Sequence, residues 1–426
     1  MKGDMQVEIA SVVDAVRGHH ELFMHALPLI ASENITSNTV RTLLASDLSH
    51  RYAEGEIGRR YYQGCAYIDV IEEKAIRYAA ELFQAEHVNV KPISGVMANI
   101  AAIFALTKPR DRMMALSVPN GGHISHSKHS IPSLRDLDLV TFPFDRREMT
   151  IDAAQMQAEI KQKKPALLLF GASLFLFPHP LVEAREAADE VGATIIYDGS
   201  HVLGLIAGKQ FQDPLREGAD VVASSTHKTL PGPQGAIILC RAEHKEKIDL
   251  AVFPGTVSNH HLHHVAGLAV TLAEMLAFGE AYAAQTVANA KVLAQALYES
   301  GFEVLCEHKG FTESHQIAID VRALGGGATV AQNLERAHII INKNLLPRDK
   351  DPDRPTGIRL GVQELTRLGM KESEMQEVAE LITRVVMKNA DVETIAEDVS
   401  AFREEYQTVQ FCFDGRAAYK FPELHI

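Results

Sequence analysis

The stretch SSTHKTLPGP, Ser224 to Pro233, decides how the rest of the chain is read. Just before it, ADVVA (219–223) is a short apolar run, and just after it GAIIL (235–239) is another, so both are expected to be buried strands. Lys228 then sits at the end of a strand among hydroxyls, a histidine and turn residues. A lone loop lysine is usually solvated. This one has company upstream in TIIYDGSH (194–201), an apolar run that ends in Asp198 with His201 just beyond. Ligands of open α/β sheets bind beyond the carboxyl ends of the strands, where both residues fall. A buried carboxylate and a lysine of lowered pKa are what a pyridoxal phosphate site needs. The aspartate keeps a pyridine nitrogen protonated, and the partly neutral amine forms a Schiff base.

Outward from that centre, the chain of 426 residues predicts two domains. Apolar residues make up 46% and charged residues 23%, as in ordinary globular enzymes. A formal net charge of −13 without a basic run argues against nucleic acid as the main partner. Cys65, Cys240, Cys306 and Cys412 show neither CxxC nor metal-ligand spacing, which predicts reduced thiols. MKGDMQVEIASVVDAV lacks a signal pattern, and no apolar run approaches the roughly 18 residues of a membrane span. The expected location is cytoplasmic.

The order of elements supports a largely parallel sheet wrapped in helices. A helical arm is expected over 7–27, and a helix over about 39–50. The segment 51–69 is rich in tyrosine, glycine and charge without period, and is read as a binding loop. HVNVKPISG then reads as a strand leading to a turn, where Ser94 and Gly95 open a helix suited to phosphate. Strands are expected at 113–118, 139–142 and 166–170, with a helix over about 181–191 before the Asp198 strand. FPGTVSNHHLHH (253–264) holds a histidine cluster without an HExxH-type motif, and a structural or loop role is preferred to a metal site. A long helical region over 265–299 is expected to bridge two domains. The C-terminal part alternates again, through strands near 316–321 and 339–341 and the segment TGIRLG at 356–361.

With these residues in view, the chain resembles serine hydroxymethyltransferase, also called glycine hydroxymethyltransferase. The carrying motifs are LIASEN, HRYAEGEIGRRYYQGC, SGVMANIAA, GGHISH, YDGSHVLGLIAG, STHKTLPGP, AVFPG, INKNLLP and GIRLGVQELTRLG, between about 28 and 390. The wording of SVPNGGHISH, LFGASLFLFPHP and PGTVSNHHLHH is most similar to the archaeal branch. The resemblance implies a fold-type I pyridoxal-phosphate-dependent, aspartate-aminotransferase-like α/β fold with a mainly parallel seven-stranded sheet. It implies an arm at 1–50, a large cofactor-binding domain at 51–280 and a small α/β domain at 281–426, in a homodimer with shared active sites.

Carried over position by position, Lys228 would hold the cofactor as a Schiff base and Asp198 would pair with its ring nitrogen. His123 would stack on the ring, and His201 and Ser173 would meet its phenolic oxygen or the substrate. Ser94 and Gly95 would bind its phosphate, with Ser225 and His227 also cofactor-binding. Arg359 would grip the substrate carboxylate, which suits a guanidinium better than an ammonium, with Ser32 assisting. Glu54 would be the acid/base group, flanked by Tyr52 and Tyr62, all reaching over from the partner subunit. No metal is implied. The reaction would move the hydroxymethyl carbon of serine reversibly to a reduced pterin, tetrahydrofolate or tetrahydromethanopterin, leaving glycine.

There are departures. Val96 stands where the phosphate loop has a second hydroxyl, Gln234 replaces an arginine, and TVSNHH replaces a glycine-rich loop. The last change puts Ser258 and Asn259 at the phosphate-facing positions. Two alternatives remain: a pterin-independent β-hydroxy amino acid aldolase or transaldolase of the same fold, and a binding protein without catalysis. Lys228, Asp198 and Arg359, all present, speak against the second.

Overall fold

Near-continuous apolar runs become strands buried on both faces. A computed structural model describes residues 2–388 and 390–419; the end of the C-terminal stretch QFCFDGRAAYKFPELHI (410–426), rich in aromatic residues, lies outside the described residues. Across the large sheet the strands run His87–Asn89, Ala236–Cys240, Val221–Ser225, Thr194–Asp198, Leu167–Phe170, Arg112–Ala115 and Asp138–Thr141. Only Ala236–Cys240 runs antiparallel to its neighbours. The period of two survives inside the apolar runs. Leu168, Phe170, Ile195 and Tyr197 face one core, while Leu167, Leu169 and Ile196 face the other. Helices cover both faces, so the sheet's carboxyl edge is left open to build a site.

A second, antiparallel sheet orders Glu303–Val304, Gln316–Asp320, Gly357–Gly361 and Asn342–Asn344. It has its own core with the helices Gly327–Arg336, Glu372–Val386 and Val392–Arg403. The N-terminal helix Lys2–His25 exposes Met5, Val7, Ile9, Val12 and Val16. Directly after it, Leu27–Pro28 pairs in parallel with Ile339–Ile340, and Leu27 and Leu29 are buried in the second core.

The helix Leu262–Glu299 joins the two cores: Val265 to Ala283 pack into the first and Ala290 to Leu297 into the second. Among the described residues it is also the one helix long and apolar enough to cross a membrane, an exception to the sequence reading that no such run exists. Its most apolar part is 61% buried against the rest of the chain. Polar side chains that are buried along it, such as Thr271, Glu274 and Asn289, are bonded inside the protein, as a core helix requires.

Candidate active site

Asp198 and Ser225 end adjacent parallel strands, and the helix Gly95–Leu106 begins at the same edge with Ser94 as its cap. The turn after Ser225 brings Lys228 back over this edge. Ser94, Gly95, Val96, Asn99, His123, Ala172, Ser173, Asp198, Ser200, His201, Ser225, His227 and Lys228 enclose a cavity of about 200 Å³. Gly95 lets the helix start approach the strand end closely. A Cβ on it would lie 3.2 Å from Ser225 Cβ and 3.4 Å from Ser200 Oγ, pushing the helix start away from the strand end.

Asp198 is held by three donors. Its Oδ2 accepts Asn99 Nδ2 at 2.8 Å and His126 Nε2 at 3.0 Å, and its Oδ1 accepts the Ser200 N–H at 3.0 Å. Burial alone would raise its pKa, but the His126 hydrogen bond and charge, with help from Lys228 and Ser200, hold it well below the usual carboxylate range. It is an anion at neutral pH. Lys228 moves the other way, pulled down to about 8 by burial, with Arg359 adding to the fall and Asp198 opposing it. His123 and His227 are each lowered to about 4, chiefly by burial, and are neutral.

Arg359 lies in the middle of the second sheet and is absent from the cavity lining, but it reaches the rim. Its guanidinium donates to the Ser173 carbonyl and, through Nε, to Asn342 Oδ1 at 3.2 Å. Burial lowers it to about 10, so it stays charged. Ser32 sits in a turn that the rest of the chain clamps. His315 Nε2 meets the Ala31 carbonyl at 3.1 Å, and Gln363 donates to the carbonyls of Ile30 and Glu33. Asn34 donates to the Lys228 carbonyl, which ties this turn to the lysine.

Tyr52, Glu54, Tyr62, Ser258 and Asn259 do not line this cavity within one chain. Tyr52 and Tyr62 are exposed and meet edge-on at 4.9 Å, and the Tyr62 hydroxyl bonds Glu54, whose charge raises the phenol's pKa. The backbone beneath them is gripped tightly. Asn259 Oδ1 accepts the Ala53 N–H and its Nδ2 donates to the Arg51 carbonyl, each at 2.9 Å. Arg60 donates to the carbonyls of Ala53 and Gly55 and to Asp69 and Glu72. Lys91 donates to the Gly55 carbonyl and Glu56. Asn259, placed by sequence at a phosphate, thus spends its amide on the segment that carries Glu54.

The histidine cluster divides. His260 is buried with its Nε2 3.2 Å from Glu72, while His261, His263 and His264 touch ring to ring and His264 bonds the Gln234 carbonyl. Asn99, His126, Ser200, His315 and Gln316 were missed in the sequence. For His126 a signal was present, since it closes the GGHISH motif that supplied His123.

The residues around the cavity suit pyridoxal phosphate. Ser225 Oγ and His227 Nδ1 are buried without a hydrogen-bond partner in the protein. The helix start at Ser94 and Gly95 supplies free N–H groups and a positive dipole end. An anionic carboxylate and a lysine of lowered pKa complete the set.

Comparison with known proteins agrees. The family model described as Serine hydroxymethyltransferase matches residues 5–382. The chain is similar to the serine hydroxymethyltransferase of Methanocella arvoryzae, with 60% identity over 97% of this chain and 98% of that one. The enzymes of Methanopyrus kandleri (56%; 98% and 98%) and Methanocaldococcus jannaschii (58%; 95% and 96%) are similar over the same extent. Among solved structures, L-threonine transaldolase from Pseudomonas fluorescens superposes with a TM-score of 0.89 at 28% identity, over 97% of this chain and 96% of that one.

Proposed function

The chain belongs to the serine hydroxymethyltransferase family, and from that premise we propose how its residues divide the work. The enzyme is a pyridoxal-phosphate-dependent transferase of one-carbon groups that interconverts serine and glycine with a pterin. The observation that carries the assignment of residues is the pairing, in one cavity, of an anionic Asp198 with a Lys228 whose amine is partly neutral. When bound, the cofactor withdraws electrons from the substrate's α-carbon.

Lys228 supplies the amine that holds the cofactor and yields to the substrate amine. Asp198 keeps the ring nitrogen protonated, and Asn99 and His126 keep Asp198 ionised. Ser94, Gly95, Ser225 and His227 bind the phosphate or its surroundings, and His123 covers the ring. Arg359 binds the substrate carboxylate at the rim beside Ser173, assisted by Ser32, and its two-pronged fork fixes the bond to be broken relative to the ring.

Glu54, with Tyr52 and Tyr62, moves the proton at the hydroxymethyl oxygen of a site in a second copy of the chain. The exposure of Tyr52 and Tyr62 beside a half-buried Glu54, on a clamped segment outside their own chain's cavity, supports this reading. The exposed apolar face of Lys2–His25 supports a homodimer as well. Ser258 and the backbone of Asn259, whose side-chain amide is spent within its own chain, reach the second copy's phosphate from the same side. Residues 1–50, 51–280 and 281–426 act as arm, cofactor domain and small domain. The reduced pterin is tetrahydrofolate or tetrahydromethanopterin, and the location is cytoplasmic.

Serine consumption by the holoenzyme, with each reduced pterin in turn, tests the proposal. Glycine and a methylene-pterin should form with one carrier far faster than with the other. Serine or threonine cleavage indifferent to both carriers would transfer the site to aldolase or transaldolase chemistry.

A further inference from the structure

Gln316 opens the central strand of the second sheet, yet its side chain turns towards the first. Its carboxamide makes three close contacts and a fourth, longer one to His315, and the polarity of the close ones can be read directly. The Phe175 N–H can only donate, and it meets one end of the amide at 2.8 Å, so that end is Oε1. The other end is therefore the NH₂ group. One of its hydrogens goes to the Ser173 carbonyl at 3.1 Å. The other meets His201 Nδ1 at 2.9 Å, and a ring nitrogen that receives a donor carries no proton.

His315 offers no escape from this arrangement. Its Nε2 lies 3.1 Å from the Ala31 carbonyl and must donate there, so its 3.5 Å approach to the Gln316 NH₂ group sets donor against donor. The His201 and His315 rings lie nearly parallel, 17° between planes with centroids 5.8 Å apart. Burial and the nearby charges of Lys228 and Arg359 keep His201 from taking a second proton.

We propose that Gln316 is a positioning residue that holds His201 as the neutral tautomer protonated on Nε2, so that His201 meets the cavity as a hydrogen-bond donor. Among the described residues no protein group bonds His201 Nε2, and His201 lines the cavity. The acceptor such a donor fits is an anionic oxygen, such as the phenolate of the bound cofactor. The same amide also pins the Ser173 carbonyl that receives Arg359, so one side chain sets both the ring's polarity and the rim of the carboxylate site. The inference rests on the cofactor reading only for the identity of that acceptor, because the tautomer is a property of the chain itself.

The test is nitrogen NMR of histidine-labelled protein prepared without cofactor, with the His201 signals assigned by their loss in His201→Gln. The wild-type chain should show an unprotonated Nδ1 and a protonated Nε2 near neutral pH. Gln316→Glu, which can only accept at that position, should move a proton to Nδ1. Gln316→Leu, which only deletes the donor, should leave a mixture. A protonated Nδ1 in the wild type, or a His201 unmoved in both variants, overturns the proposal, and the wild-type spectrum decides even if a variant fails to fold. Titration with pyridoxal phosphate then tests the acceptor. Gln316→Glu should bind about tenfold more weakly, the cost of one hydrogen bond to a charged group, and Gln316→Leu about twofold, the share of chains left in the other tautomer. A moved tautomer with unchanged affinity would uphold the role of Gln316 and remove the cofactor contact of His201.

Discussion

Replacing Glu72 by Gln should destabilise the protein by several kcal/mol, and the loss should depend on pH in a defined direction. Glu72 is 1% exposed and faces two cations, Arg60 at 2.8 Å and Lys91 at 3.6 Å, with His260 Nε2 at 3.2 Å. Burial raises its pKa, but the His260 hydrogen bond and the charges of Lys91, His260 and Arg60 win, and the group falls from 4.5 to about 2. Such a fall stabilises the folded anion by about 3 kcal/mol at neutral pH. Removing the carboxylate also leaves its partners buried and unpaired, a loss of about 3–5 kcal/mol for a broken buried pair.

The sign follows from the depressed folded value. The contribution is complete above the unfolded value of 4.5 and disappears as the pH falls towards about 2. Urea unfolding of wild type and Glu72→Gln, followed from pH 7 downwards, measures this. The gap in midpoint should be wide at pH 7 and close progressively below about 4.5. A gap of less than about 1 kcal/mol at pH 7, or one that is flat with pH, would falsify the reasoning. Because Arg60 also holds the carbonyls of Ala53 and Gly55, the variant should be cut faster by protease within 51–64.

Three further outcomes bear on catalysis. The rate at which cofactor-free protein captures pyridoxal phosphate should rise with pH and level off above about 8, where Lys228 has lost its proton; a rate independent of pH between 6 and 9, over which the neutral amine fraction grows about a hundredfold, would be the contrary result. Arg359→Lys should raise the KM for serine about tenfold to a hundredfold with a smaller change in kcat, measured by steady-state kinetics. Glu54→Gln should keep the bound cofactor's colour but lose about a hundredfold or more in kcat. Mixed with Lys228→Ala chains it should recover part of the activity if sites are shared between copies, and none if they are not.

The centre of the site was legible because its residues end strands that the apolar pattern marks plainly. Asp198 and Lys228 need no knowledge of tertiary contacts beyond that edge. Their supporters do. Gln316 reaches His201, and His126 and Asn99 reach Asp198, from strands, turns and helices remote in the chain. In the sequence each is an ordinary polar residue beside an apolar run, and only the packed fold shows which hydrogen bond it completes. Asn259 illustrates the converse. Its phosphate-facing position is an expectation from resemblance to a glycine-rich loop, and what only the fold shows is that its side-chain amide bonds the Arg51 carbonyl and the Ala53 N–H of its own chain. The long helix was also under-read: interrupted by Thr271, Glu274 and Glu280, its apolar surface is continuous only when wound into three dimensions.

That helix, Leu262–Glu299, spans 38 residues, a rod of about 57 Å. Lys228 belongs to the core at one end of it, and Arg359 to the sheet at the other. The amine proposed to hold the cofactor and the guanidinium proposed to bind the substrate carboxylate are thus mounted on separate cores that share an axle. A tilt about that axle of a few degrees shifts the fork relative to the ring, and a 1 Å error at the reacting atoms can cost about a hundredfold in rate. Ala290, Ala294 and Ala296 seat the rod in the second core, so enlarging one of them is expected to misalign the substrate from far outside the cavity and to show as a loss of kcat.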